Sequence, residues 1–170
     1  DGITSDQLLC QMLGARFLGS CAMIRLTFGD NAKHRAIYKI WAHHGETGAT
    51  TPGGAINKLV QAGVGCNADM FLMGHVHKVL PYSQDQLDLT NKGVPRLIYR
   101  TRHYLLCGSF MRGYTEGYRV DDRPGGNYVE KKMLLPSTLG ALAITLVPQL
   151  IERGTRVGVS ITTEPILGGK

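Results

Sequence analysis

Four of the six histidines in this chain fall in two tight groups, His43-His44 and His75-Val76-His77. Imidazole is the commonest nitrogen ligand for zinc, iron and similar ions, and it binds in its neutral form. Each group follows an apolar run and touches a glycine: Ile40-Trp41-Ala42 leads into His43-His44-Gly45, and Met70 to Met73 leads into Gly74-His75. If those runs are strands, the histidines sit at strand C-terminal ends, where loops of layered α/β folds form a crevice. Side chains two apart on an extended segment point the same way, so His75 and His77 address one small volume while Val76 faces the core. Gly74 permits a tight turn ahead of them. A lone histidine is more often bonded to a neighbour than to a metal; two such clusters point to a metal site.

The elements that must position these histidines can be read from the pattern. Ser5 caps a short helix whose apolar face is Leu8, Leu9, Met12 and Leu13. Cys21 to Phe28 alternates as a strand, Gly29-Asp30-Asn31 is turn chemistry, and Ala36 to Trp41 returns as the second arm of a hairpin. A polar, Gly- and Thr-rich loop runs to Gly54. Within it, Thr51 before Pro52 starts a helix to about Ala62, with Ile56, Leu59 and Val60 inward and Gly63 and Gly65 ending it. Met70 to Met73 is a short strand. Further strands are expected at Arg96–Tyr99, His103–Cys107, Gly140–Val147 and Thr155–Thr162, with a long loop at Gly113–Asn127. No repeat or linker divides residues 1–170, so the expectation is a single α+β domain in mixed layers.

Composition bounds the partners. Hydrophobic residues make up 43% and charged residues 19% of 170, as in an ordinary globular chain. No apolar run approaches the roughly 18 residues of a membrane span, and the polar, acidic start shows no secretory signal. Net charge is +6, which tolerates acidic substrates such as phosphate esters or nucleic acid, although no cationic run of five or six occurs. Cys10, Cys21, Cys66 and Cys107 form no C-x-x-C pair, which reads as reduced, mostly buried thiols in a cytoplasmic protein.

The histidine motifs are more specific than their spacing. Leu72-Met73-Gly74-His75-Val76-His77 resembles the closing G-H-x-H signature of calcineurin-like metallophosphoesterases. Trp41-Ala42-His43-His44-Gly45 resembles the histidine motif that precedes it, and Asp69 matches the approach to the last strand. The stretches Tyr104–Phe110 and Pro136–Gly140 are similar to phage and bacterial members. The resemblance implies a layered β-sandwich flanked by helices, with two divalent metal ions (manganese, iron, zinc or nickel). It implies that His75 and His44 hold the second metal and His77 the first, with His43 as the alternative ligand or a pocket residue. The intact protein would then hydrolyse a phosphate ester, nucleotides and nucleic acid among the candidates. Arg102, His103 and Arg112 are candidates to contact substrate phosphate.

The family builds its site from two halves, and the N-terminal half supplies Asp-x-His, Gly-Asp and Gly-Asn-His. No D-x-H or G-N-H occurs here, and Gly29-Asp30-Asn31 reads as a hairpin turn. Two dications about 3.5–4 Å apart need an anionic ligand between them, which imidazoles cannot provide. The expectation is therefore a partial domain, lacking its N-terminal metal-binding half and inactive alone; the absence of an initiating Met agrees. Two other readings compete. One is a single-zinc, three-histidine hydrolase with an open position for water. The other is a non-catalytic basic module that binds nucleic acid through Tyr99 to Arg119.

Overall fold

A computed structural model describes residues 3–29, 35–46, 48–49, 51–90, 93–110, 114, 119–120, 123–124, 128–133, 135–136, 139–151 and 156–167. In chain order the elements are α1 (Ser5–Met12), β1 (Cys21–Phe28), β2 (Ala36–His43), α2 (Pro52–Val64), β3 (Met70–Met73), β4 (Val79–Leu89), β5 (Leu97–Ser109), β6 (Arg119–Val120), β7 (Arg123–Pro124), α3 (Tyr128–Lys131), β8 (Gly140–Ile151) and β9 (Arg156–Leu167). The fold is mixed α and β, built on a seven-stranded sheet of order β1-β2-β3-β5-β8-β9 with β4 also paired to β5.

The expected hairpin forms with every residue of β1 paired antiparallel to β2, from Cys21 opposite His43 to Phe28 opposite Ala36. The β2–α2–β3 crossover then makes β3 parallel to β2, with His43 beside Met73. Thr51 caps α2, its hydroxyl accepting from the Gly54 N–H at 3.2 Å, and Pro52 occupies the first turn where its missing N–H costs nothing. The cap of α1 lies one residue earlier than the sequence suggests. Thr4, not Ser5, occupies the cap, because Gln7 three residues on returns a side-chain bond to the Thr4 N–H.

The core has two sides. On one, Ala55, Ile56 and Leu59 of α2 pack on Phe71, Met73, Tyr104 and Leu106. On the other, Tyr38, Ile40, Met70 and Leu105 are covered by Leu142, Ile144, Leu146, Val159 and Ile161 of the β8–β9 hairpin. The sheet therefore curls until its last hairpin lies over its own middle strands. The curl turns at Gly108 and Gly140, both with positive φ, where a Cβ on Gly108 would strike the Gly140 carbonyl. Each large side chain buried this way contributes about 1.5–3 kcal/mol.

Asp69 fastens the far end of this core. Its carboxylate accepts the Lys39 N–H at 2.8 Å and an Arg100 guanidinium N–H at 2.9 Å. Its backbone bridges Lys39 and His103, so one residue ties β2, β3 and β5 together where β3 begins.

Several expectations need correction. The two strands expected at Arg96–Tyr99 and His103–Cys107 are one continuous strand, β5, because β4 pairs along its length from Val79–Cys107 to Leu89–Leu97. The thiols are free, as expected, but Cys10, Cys66 and Cys107 are half-buried and Cys21 is exposed, since β1 is an edge strand. The Asp30-Asn31 turn and most of the Gly113–Asn127 loop lie outside the described residues. Among the described residues no helix is long and apolar enough to cross a membrane.

Candidate metal centre

Two adjacent parallel strands end side by side, and their C-terminal residues carry the histidines. β2 ends at His43 and β3 at Met73, paired in register. Beyond them the two chain segments interlock through their glycines. Gly45 has φ +91°, and a Cβ there would lie 2.6 Å from Met73 Cγ. A Cβ on Gly74 would lie 3.1 Å from the His44 carbonyl oxygen, while the Gly74 N–H donates to the His43 carbonyl at 3.2 Å. Gly74 thus serves close approach rather than the turn itself.

The turn falls on His75. The Val76 N–H donates to the Gly74 carbonyl at 2.7 Å across His75, whose φ is +63°. This is a γ-turn of the positive-φ kind, a strained geometry for a residue with a Cβ. His77 also has positive φ, +51°. The pair is therefore not extended, and strand alternation is not what groups them. Val76 packs against the α2-side core and pins the turn, as the sequence suggests.

The result is a histidine cluster drawn from both motifs. His44 Nε2 and His75 Nδ1 lie 3.4 Å apart, with the rings edge to face at 68°. His77 is half-buried beside them. Burial foremost, then the nearby His75, Lys78 and His44, hold its pKa below the ordinary value, which keeps the ring neutral and its lone pair available near neutral pH.

His43 faces elsewhere. Its ring stacks on Trp41 at 5.4 Å, and its Nδ1 accepts the Gly45 N–H at 2.7 Å. Of the tandem pair it is His44 that meets His75, and His43 shapes the turn that presents it.

The donor set can be tested against a metal. With metal–nitrogen bonds of about 2.0–2.1 Å in a tetrahedral shell, two ligand nitrogens sit about 3.3 Å apart. The His44–His75 separation fits two ligands of one ion. Among the described residues no group of three or more His, Cys, Asp or Glu is gathered closely enough to hold an ion, so His77 would have to swing in to complete a three-imidazole shell.

The phosphate-contact candidates lie apart from this cluster. His103 pairs with Met70, the first residue of β3, whereas the histidines follow Met73, the last. That is about 10 Å of strand. His103 bonds Ser83 through Nδ1 at 2.9 Å. Burial foremost lowers its pKa, against Asp69 and Asp85, which raise it. Arg102 donates to the Gly63 carbonyl at the end of α2 at 3.2 Å and lies over the Phe71 ring at 5.8 Å. Arg112 is outside the described residues. Within Tyr99 to Arg119, Tyr104 is buried in the core on Phe71, while Tyr99 is exposed.

One residue that sequence reading passed over is Lys78, directly after His77. Its ammonium donates to the Pro136 carbonyl at 3.2 Å, tying the segment after α3 to the residue that follows the motif. Position next to the motif was the only signal for it. Comparison of the chain with family models, curated proteins and solved structures returns no match.

Proposed function

We propose that this chain is the histidine-bearing part of a metal-dependent phosphoesterase of the calcineurin-like type, with His44, His75 and His77 as metal ligands. The observation that carries the reading is the 3.4 Å approach of His44 Nε2 to His75 Nδ1, across a strained turn built on the G-H-x-H segment. Strain at a non-glycine residue persists where the surrounding structure imposes it, and such positions cluster at functional sites. The resemblance assigns His44 and His75 to the same ion, and their spacing suits that assignment.

Bound divalent metal would supply a Lewis acid for the phosphoryl oxygens and a water acidified toward neutral pH. The chain's own residues hold and orient. The Trp41–His43 stack and the Gly45 N–H bond fix the turn that aims His44. The γ-turn aims His75 back at it, and burial keeps His77 neutral. None of the three is an acid or base in this reading. A two-ion centre further needs a bridging carboxylate from a partner segment that this sequence lacks, so the isolated chain is expected to bind metal weakly and turn over negligibly.

The approach of His44 to His75 also suits a second reading, a single-zinc site that His77 would complete as the third histidine. Metal stoichiometry separates the two. Two ions per complete polypeptide, with metal-dependent hydrolysis of a phosphodiester, supports the phosphoesterase. One ion per 170-residue chain, held tightly with no added segment, supports the single-zinc site. Robust phosphodiester hydrolysis by the isolated chain would overturn the claim that carboxylates must be added.

A further inference from the structure

Helix α1 turns its apolar side outward. Leu8, Leu9, Met12 and Leu13 fall on one face at helical spacing, and they are 52%, 55%, 77% and 71% exposed. The opposite face carries Gln7, Cys10 and Gln11, and this more polar side is the one the chain folds under. The Ala15 N–H returns to the Cys10 carbonyl at 2.8 Å, and Ile3, Ala15 and Phe17 line a hollow together with those three residues. No residue of α1 is buried. Eight residues are too few for a helix that is stable alone in water, so the apolar stripe calls for a surface to cover it. The four side chains together expose on the order of 500 Å², the size of the largest patch on an ordinary monomer, and such patches mark contact sites.

We propose that this stripe is a self-association surface, on which a second copy of the chain seats its own α1, antiparallel, across a two-fold axis. Two observations select a second copy. Pairing two stripes buries on the order of 1,000 Å² of apolar surface, about the size a specific interface must clear, before any flanking contact is added. The charges at the helix ends are also self-complementary. Asp6 sits in the first turn and Arg16 just beyond the last, both are exposed, and among the described residues neither has an ion-pair partner. Antiparallel pairing sets Leu8 opposite Leu13 and Leu9 opposite Met12 of the second copy, and it brings each Asp6 toward the second copy's Arg16. Parallel pairing would set Asp6 against Asp6. The proposal is independent of the metal reading, because the stripe includes none of the histidines.

Sedimentation equilibrium of the 170-residue chain at low salt, over roughly 1 to 100 μM, tests this. The parent should form a dimer. Met12→Glu puts a charge into the seam and should weaken the dimer by about tenfold or more. Asp6→Arg and Arg16→Asp should each weaken it several-fold, and the double variant, which restores opposite charges, should recover parental association. Should Met12→Glu fail to fold, the charge-reversal series reads the same surface. A parent chain that stays monomeric throughout overturns the proposal and leaves the stripe to another occupant, such as a segment carrying the metal carboxylates. A dimer indifferent to Met12→Glu and to the charge reversals overturns it as well, because association then runs through a different surface.

Discussion

His44 Nε2 meets His75 Nδ1 at 3.4 Å across a sequence separation of 31 residues. Helix α2 and strand β3 lie between them in the chain, and the parallel pairing of β2 with β3 closes that distance. A pair of neutral imidazoles can share a proton or an ion at this range. One further fact favours the ion: His75 sits in a strained γ-turn.

Substitution should separate the tandem histidines. His44→Ala and His75→Ala should each cut zinc affinity by more than the about 10–100-fold typical of residues that only orient a ligand. His43→Ala removes a ring stacked on Trp41, so a loss no greater than that range is expected. Calorimetric zinc titration of the three variants reads this directly. Equal, severe losses at His43 and His44 would reverse their roles.

The glycines that interlock the two motifs should be intolerant of a methyl group. Gly45→Ala imposes positive φ on a residue with a Cβ and drives that atom into Met73, so a loss of about 1–3 kcal/mol is expected. Gly74→Ala meets the His44 carbonyl less closely and should cost less. Urea denaturation of the two variants ranks them. Gly45→Ala at parental stability would contradict the interlock.

Asp69 resembles a motif residue, but its bonds are structural. Asp69→Ala leaves the Lys39 N–H without its side-chain acceptor, at a cost of about 1–3 kcal/mol. Removing Arg100 should cost less, since its side chain is 47% exposed and solvent screens the pair. Neither change should alter zinc affinity, because both lie at the opposite end of β3 from the histidines. Chemical denaturation paired with zinc titration checks both halves of this expectation.

Acid should weaken the fold before its carboxylates titrate. His77 and His103 have folded pKa values lowered from 6.5, mainly by burial. Between each folded value and 6.5 the unfolded chain binds more protons than the folded one. Stability therefore falls as pH drops below about 6.5. His103→Gln should flatten that slope in metal-free chain, measured by urea melts between pH 5 and 7. An unchanged slope in the variant would exclude His103 as a contributor.

Much of the positioning framework was legible, for physical reasons. The β1–β2 hairpin, α2 and β3 announce themselves through alternation, a Thr-Pro helix start and a bounded apolar run, all of which are local signals. The histidine grouping was legible because both motifs end strands. What escaped was non-local or conformational. The single long β5 depends on its pairing with β4, and no property of Arg96–Tyr99 alone reveals it. The γ-turn at His75 replaces the extended geometry that i, i+2 spacing suggests, because the Val76–Gly74 bond and Val76 packing outweigh the local β preference. Arg102 and His103 looked free to meet phosphate, yet the register sends them to the other end of the sheet. The bond from Lys78 to Pro136 joins residues 58 apart and leaves no trace in either segment.

The most direct test of the central claim is X-ray absorption at the zinc edge of the zinc-loaded chain. The account expects a nitrogen shell at about 2.0–2.1 Å with the multiple-scattering pattern of imidazole, reduced in His44→Ala and in His75→Ala. A shell of water or carboxylate oxygens without imidazole scattering, or a spectrum indifferent to both substitutions, would contradict it.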